Sequence, residues 1–443
     1  MTSLLIRGAA ILGGHAEDLR IRNGVIAGRG SLSSETDERV IDARGLIALP
    51  GLVDLHTHLR EPGGEASETV LTGTRAAAAG GFTAVHAMAN TSPVADTAGV
   101  VEQVQRLGER HGYATVRPIG AVTVGLAGEQ LAEIGAMARS TAQVRVFSDD
   151  GHCVHDPLLM RRALEYVATF DGVVAQHAQE PRLTEGAQMN EGLLSGELGL
   201  AGWPAVAEEA IIARDVLLAE HVGSRLHVCH LSTAGSVDVV RWAKARGIAV
   251  TAEVTPHHLL LTEELARGYD AHFKVNPPLR RDEDIHALRA ALADGTIDIV
   301  ATDHAPHPSE STECTWAEAA FGMVGLESAL SVVQQAVVDT GALSWIDVAR
   351  VLSSSPAAIG RLEGYAHPLE IGSPANVALV DPTHGRVWGT ADLHGRSQNS
   401  PYLGRQLPGR VVHTVHRGVV TLSDGVLGEP DAVAFAYQEV TRG

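Results

Sequence analysis

The feature that most restricts the fold is a repeated alternation of apolar, strand-like runs with helix-like stretches from about residue 50 to residue 302. The strand candidates are 51–56, 82–88, 115–120, 143–148, 173–177, 225–230, 248–254 and 297–302. Helical patterning fills the gaps between them, as at 68–79, 157–170, 205–220 and 235–246. Eight such alternations are what a (β/α)8 TIM barrel requires. A doubly wound open sheet alternates in the same way. The chain lacks a Gly-x-Gly-x-x-Gly turn after its first long strand, which weakens the dinucleotide-binding version of that alternative.

The flanks have a different texture. Residues 1–49 read as short strands, with Asn23-Gly24 marking a tight hairpin before Val25-Ile26-Ala27. Two helical stretches, near 323–340 and 345–360, follow the last barrel strand, and strand-like segments return at 372–381 and 410–422. The N-terminal strands are too few to make a domain alone and would pair with the C-terminal ones. The expected architecture is therefore an α/β fold: a barrel over 50–365, with a small β-sandwich domain built from both chain termini, 1–49 plus 366–443. The polar, aperiodic stretch 304–320 is a candidate mobile lid.

Composition narrows the class of function. A 45% hydrophobic, 20% charged chain of 443 residues is globular. A net charge of −19 argues against nucleic acid or an anionic membrane as partner. The same charge means that an anionic substrate needs a local positive site. Three cysteines, Cys153, Cys229 and Cys314, without a Cys-x-x-Cys pair fit a reducing cytoplasm. No signal peptide or membrane span is legible, so a cytoplasmic location is expected. Positive charge is almost all arginine, the only lysines being Lys244 and Lys274.

Ligand-type residues collect at strand ends. The first strand runs into His56-Thr57-His58, whose alternate side chains share a face and suit a divalent metal, most often zinc. The fourth ends in Asp149-Asp150, the fifth in His177, the sixth in His230 and the eighth in Asp303-His304. Any one of the 22 histidines is more readily explained as structural. Five strand ends in one register are not, because a barrel gathers them at its C-terminal rim. Asp150 falls on the face of Val144, Val146 and Ser148, and Asp149 on the other, either as a support for a ligand or as a solvated loop acid. His257 and His258 are open between support and packing, as His304 is between orienting Asp303 and filling space. Cys229 reads as a buried small residue.

These motifs, with His56-Thr57-His58-Leu59-Arg60-Glu61-Pro62-Gly63, Phe147-Ser148-Asp149-Asp150-Gly151, Asn276-Pro277-Pro278-Leu279-Arg280 and Ala301-Thr302-Asp303-His304-Ala305-Pro306-His307, resemble the amidohydrolase superfamily. Within it the chain resembles the dihydroorotases that carry a bridging aspartate. The related hydantoinases and allantoinases typically bridge their metals with a carboxylated lysine on the fourth strand, and neither Lys244 nor Lys274 lies on that strand. The resemblance implies His56, His58 and Asp303 around one metal, His177 and His230 on a second, and Asp150 between them, with two zinc ions per chain. It implies Asp303 as the catalytic acid–base group. For the substrate carboxylate it implies His58, Arg60, Asn90 and His307, and for the ring Asn276 with the Phe321-Gly322 backbone.

The implied reaction is the reversible cyclisation of N-carbamoyl-L-aspartate to L-dihydroorotate in de novo pyrimidine biosynthesis. Two departures from the family pattern stand out. Met88-Ala89-Asn90-Thr91 replaces a usual Met-Pro-Asn-Thr, leaving the loop less fixed in φ. Asn376 stands where relatives often have aspartate, on a strand outside the barrel. The resemblance also implies a homo-oligomer and an association with aspartate carbamoyltransferase. The alternatives are another cyclic amidase, hydantoinase-like or allantoinase-like, and a non-catalytic scaffold for aspartate carbamoyltransferase, whose members have typically lost metal ligands.

Overall fold

The computed structural model describes residues 3–365, 369–429 and Val433. The expected boundary at residue 366 and nearly all of 430–443 fall outside the described residues. The eight barrel strands are Leu52–Thr57, Phe82–Ala87, Thr115–Pro118, Val146–Phe147, Val173–Gln176, Leu226–Val228, Val250–Val254 and Ile299–Val300. Each overlaps its sequence candidate. The first three pair in parallel, as do the last five. Single parallel bridges, Gly120 to Phe147 and Thr57 to His304, join the two arcs into a closed ring. Closure rules out the open-sheet alternative.

Alternation along these strands produces two apolar layers. Leu55, Ile119, Val146, Val173, Ala175, Cys229, Ile299 and Ala301 pack against one another as one buried cluster. A larger cluster includes Leu52, Phe147, Val174 and Val228 from the strands and buried residues such as Ile211, Ile212, Val216 and Val240 from the helices Val206–Val222 and Ala234–Ala245. The helices Ala98–His111 and Asp282–Asp294 contribute Val101, Val104, Leu288 and Leu292 to the same outer layer. The two C-terminal helices are present at Ala329–Val333 and Trp345–Ala349, each continuing through a π turn.

Both chain flanks enter one nine-stranded sheet. Its central seam is Ile47–Pro50 against Val377–Asp381, antiparallel, with Ala48 opposite Leu379. Leu4, Ile6, Leu19, Ile21, Ile26, Val377, Leu379 and Val415 give this sheet an apolar core of its own. Strand Ile47–Pro50 passes directly into the first barrel strand through Gly51. A Cβ there would stand 2.2 Å from Thr83 Oγ1, so the close approach requires glycine.

The stretch 304–320 holds a single short 3-10 turn, Ser309–Ser311. It is tethered: Lys274 Nζ donates to the carbonyls of Trp316 at 2.6 Å and Ala319 at 2.7 Å. Among the described residues no helix is long and apolar enough to cross a membrane.

Ring closure is reinforced by Asp54. Its Oδ1 accepts the backbone N–H of His56 at 3.0 Å and of Thr302 at 3.1 Å, and its Oδ2 accepts the Thr302 hydroxyl at 2.5 Å. Burial pushes its pKa up to about 6. Asp54→Ala strands these buried donors between the first and last strands. It is expected to destabilise the protein by about 3 kcal/mol, read as a lower urea midpoint with an unchanged slope.

Candidate functional site

All six candidate ligands converge at one rim of the barrel, and every one is buried. Asp150 is the hub. Its Oδ1 lies 3.3 Å from His56 Nε2, 3.3 Å from His177 Nδ1 and 3.4 Å from His230 Nε2, and its Oδ2 lies 3.3 Å from His58 Nε2. Asp303 Oδ1 stands 3.1 Å from His58 Nε2 and 3.4 Å from His56 Nε2. Two donor groups sharing Asp150 result: His56, His58, Asp150 and Asp303, and then Asp150, His177 and His230.

The donor chemistry fits a pair of divalent cations. His56 Nε2 and Asp150 Oδ1 are buried without a hydrogen-bond partner. Donors bound tetrahedrally to one zinc at about 2.05 Å stand about 3.3 Å from each other, which is the spacing seen here. Electrostatics points the same way. Burial would lower the His56 pKa, but Asp150, Glu253 and Asp303 drive it well up. Burial would raise the Asp303 pKa, yet His56 and His58 hold it down at about 2. Asp150 lies well below the ordinary carboxylate range, against its burial, because of His56, His177 and His230. Carboxylates enclosed in this way favour positive charge at their centre, which a bound divalent ion would supply.

Three of the four imidazoles are held through their other ring nitrogen. Glu253, on the seventh strand, accepts from His56 Nδ1 at 2.6 Å and from His227 Nε2 at 3.0 Å, and takes the His230 backbone N–H at 3.2 Å. Asn90 Oδ1 faces His58 Nδ1 at 2.9 Å, and Gln179 Oε1 faces His177 Nε2 at 2.8 Å. Such contacts fix the tautomer that leaves a lone pair toward an ion. Glu253 and Gln179 escaped the sequence reading. A Glu between alternating apolar residues of a buried strand, Val250–Val254, was the available signal.

Strained backbone accompanies the site. Arg60 (φ 60°), His230 (φ 30°) and Asp303 (φ 47°) all adopt positive φ at strand ends, a conformation that costs of order 1–3 kcal/mol per residue.

The substrate-side candidates line the same rim. Arg60 Nε donates to the Pro306 carbonyl at 3.2 Å, and its Nη2 lies 3.5 Å from His307 Nε2. With its oxygen engaged by His58, Asn90 is left with its NH2 group, whose nearest acceptor is the Asp150 carbonyl at 3.5 Å. His307 donates Nε2–H to the Phe321 carbonyl at 2.8 Å, and burial beside Arg60 lowers its pKa to about 4, so the ring is neutral. The Gly322 N–H donates to the Lys274 carbonyl at 2.9 Å. Asn276 Nδ2 donates to Gln179 Oε1 at 3.1 Å, and Asn276 Oδ1 is buried without a partner.

The undecided residues fall out clearly. Asp149 is a buried support: its Oδ1 accepts the N–H groups of Val122 and Thr123 at 2.8 and 2.9 Å. His304 leaves the Asp303 carboxylate alone and accepts the Gly325 N–H at Nδ1, 3.2 Å. His258 bridges Thr255 and the Pro277 carbonyl, whereas His257 Nε2 is buried without a partner. Cys229 is 2% exposed inside the barrel.

Comparison with known proteins agrees with this geometry. A family described as Dihydro-orotase-like matches residues 45–236. The chain is 73% identical over 427 residues to the dihydroorotase of Leifsonia xyli subsp. xyli, covering 96% of this chain and 98% of that one. It is 54% identical to the dihydroorotase of Mycobacterium tuberculosis, with 96% and 99% covered. Among solved structures, the L-hydantoinase (dihydropyrimidinase) of Arthrobacter aurescens matches with a TM-score of 0.86 at 23% identity, covering 97% and 98% of the two chains. The dihydropyrimidinase of Brevibacillus agri NCHU1002 matches with a TM-score of 0.84 at 23% identity, covering 97% of each. At that identity the likeness is one of fold.

Glu253 anchors His56, His227 and the His230 backbone at once. Glu253→Ala is expected to weaken divalent-cation binding by the metal-free protein about 10–100-fold, measured by competition with a chelator.

Proposed function

The chain belongs to the dihydroorotase family, and we propose that its rim of imidazoles and carboxylates holds two zinc ions that serve the family's reaction. The enzyme is a cyclic amide hydrolase of pyrimidine biosynthesis, interconverting L-dihydroorotate and N-carbamoyl-L-aspartate. The observation that carries the metal assignment is Asp150 within 3.4 Å of four imidazole nitrogens. A carboxylate in that position leaves no need for a modified lysine. Lys244 is paired with Asp298 at 2.7 Å on an outer helix, and Lys274 is occupied by loop carbonyls. That separates this site from the hydantoinase-like alternative, and the complete ligand set separates it from a scaffold that has lost catalysis.

In this reading His56, His58 and Asp303 would hold one cation and His177 and His230 the other, with Asp150 shared between the two groups. Bound there, the cations would bring the pKa of an attacking water toward about 7 and polarise the ring amide carbonyl. Asp303 does the proton work. Held ionised by its histidine neighbours, it takes the proton released as the carbon–oxygen bond forms and passes it to the ring nitrogen as the carbon–nitrogen bond breaks. In the synthetic direction Asp303 removes the proton of the carbamoyl nitrogen as that nitrogen attacks the side-chain carboxyl carbon and passes it to the departing carboxyl oxygen, which takes a second proton from solvent and leaves as water.

Arg60 offers a planar fork to the substrate carboxylate, assisted by the Asn90 NH2 group. His58 acts beside them by orienting Asn90. Neutral His307, donating to the Phe321 carbonyl, fixes the Phe321-Gly322 backbone, which with Asn276 would contact the ring. The pairing of Ile47–Pro50 with Val377–Asp381 supports assigning 50–365 to the catalytic barrel and 1–49 plus 366–443 to the terminal β unit.

Elemental analysis of the purified chain is expected to give two metal equivalents. A value below one, with no activity restored by zinc, overturns the assignment. Asp303→Ala should lower turnover of dihydroorotate by about 10²–10⁴-fold while part of the metal stays bound; a near-normal rate removes Asp303 from proton transfer. The deciding assay compares dihydroorotate with hydantoin and allantoin, with and without added zinc, and only dihydroorotate should turn over efficiently.

A further inference from the structure

Gln179 lies two residues beyond His177, and its side-chain amide is held at both ends. Thr184 Oγ1 donates to the Glu180 carbonyl at 3.1 Å. A hydroxyl has one proton, so toward Gln179, 2.7 Å away, it accepts. The Gln179 NH2 group therefore faces Thr184, and its oxygen faces the site. That oxygen meets two side chains, His177 Nε2 at 2.8 Å and Asn276 Nδ2 at 3.1 Å. An amide oxygen only accepts. His177 must then carry its proton on Nε2, which leaves the Nδ1 lone pair facing His230 Nε2 at 2.9 Å and Asp150 Oδ1 at 3.3 Å. Asn276 must present its NH2 to Gln179, which leaves Asn276 Oδ1 as a buried acceptor with no protein partner.

We propose that Gln179 is a positioning residue that couples the two halves of the site, its one amide oxygen choosing both the nitrogen His177 offers to the cation and the end of Asn276 that faces the substrate. The consequence for recognition is specific: Asn276 enters as an acceptor and selects a ring N–H donor. This rests on the metal-dependent dihydroorotase reading above.

The test uses the full chain and three variants. Gln179→Leu keeps the bulk and removes the acceptor. It is expected to lower zinc affinity, measured on metal-free protein against a chelator, about 10–100-fold. With zinc restored to saturation it should raise KM for dihydroorotate about tenfold, more than it lowers kcat. Gln179→Glu retains an oxygen acceptor for both partners and should recover most of each loss. Thr184→Val removes only the restraint on the amide's orientation, and should lower zinc affinity in the same direction by less, which keeps the test decisive if Gln179→Leu melts early. Wild-type zinc affinity and KM in Gln179→Leu, or a Gln179→Glu no better than Gln179→Leu, overturns the proposal. An unmodified chain that neither binds zinc nor turns over dihydroorotate overturns the parent reading, and is recognised by that arm alone.

Discussion

The site exists only because the first and last strands of the barrel are forced together. His58 and Asp303 are separated by 245 positions in the chain, yet their side chains lie 3.1 Å apart. The work of joining them falls to a short seam, the Thr57–His304 bridge and the buried Asp54 carboxylate reaching across to Thr302. Both ring-closing contacts lie within a few residues of candidate ligands. Barrel closure and ligand convergence are thus one event, and a chain that failed to close would scatter its histidines along an open edge.

Asp150 shows how such a cluster tolerates burial. A lone buried carboxylate would take up a proton. Here four imidazoles surround it, and each of three imidazoles has its far nitrogen tied to Glu253, Asn90 or Gln179. The arrangement is polar, enclosed and directional, with little freedom left in any ring. Positive φ at Arg60, His230 and Asp303 adds a backbone cost at the same rim. That cost falls where the polypeptide must turn sharply out of a strand and still aim a side chain inward, the sort of place where a fold spends stability on geometry.

Much of this was legible in the chain alone, for identifiable reasons. Barrel strands buried on both faces announce themselves as apolar runs, so all eight were found, including Val146–Phe147 and Ile299–Val300, which are only two residues long as hydrogen-bonded strands. His56, His58, Asp150, His177, His230 and Asp303 could be named because they sit where those runs end. What escaped was whatever acts through a partner distant in sequence. Glu253 looks like an ordinary polar position within a strand until His56 and His227 are placed beside it. Gln179 means nothing until Asn276, 97 residues away, arrives. The small β unit built from both chain flanks was expected as a sandwich, whereas the described residues form one nine-stranded sheet with Ile47–Pro50 at its seam.

The lysine scarcity acquires a structural meaning. Lys274 is 1% exposed and spends its ammonium on backbone carbonyls, whereas Lys244 sits at a partly open position beside Asp298. Side-chain amines available to acylating or cross-linking reagents are therefore reduced to one, on an outer helix away from the ligand cluster. Covalent attachment through that side-chain amine would tether every molecule to a support at one and the same point, on the helix Ala234–Ala245.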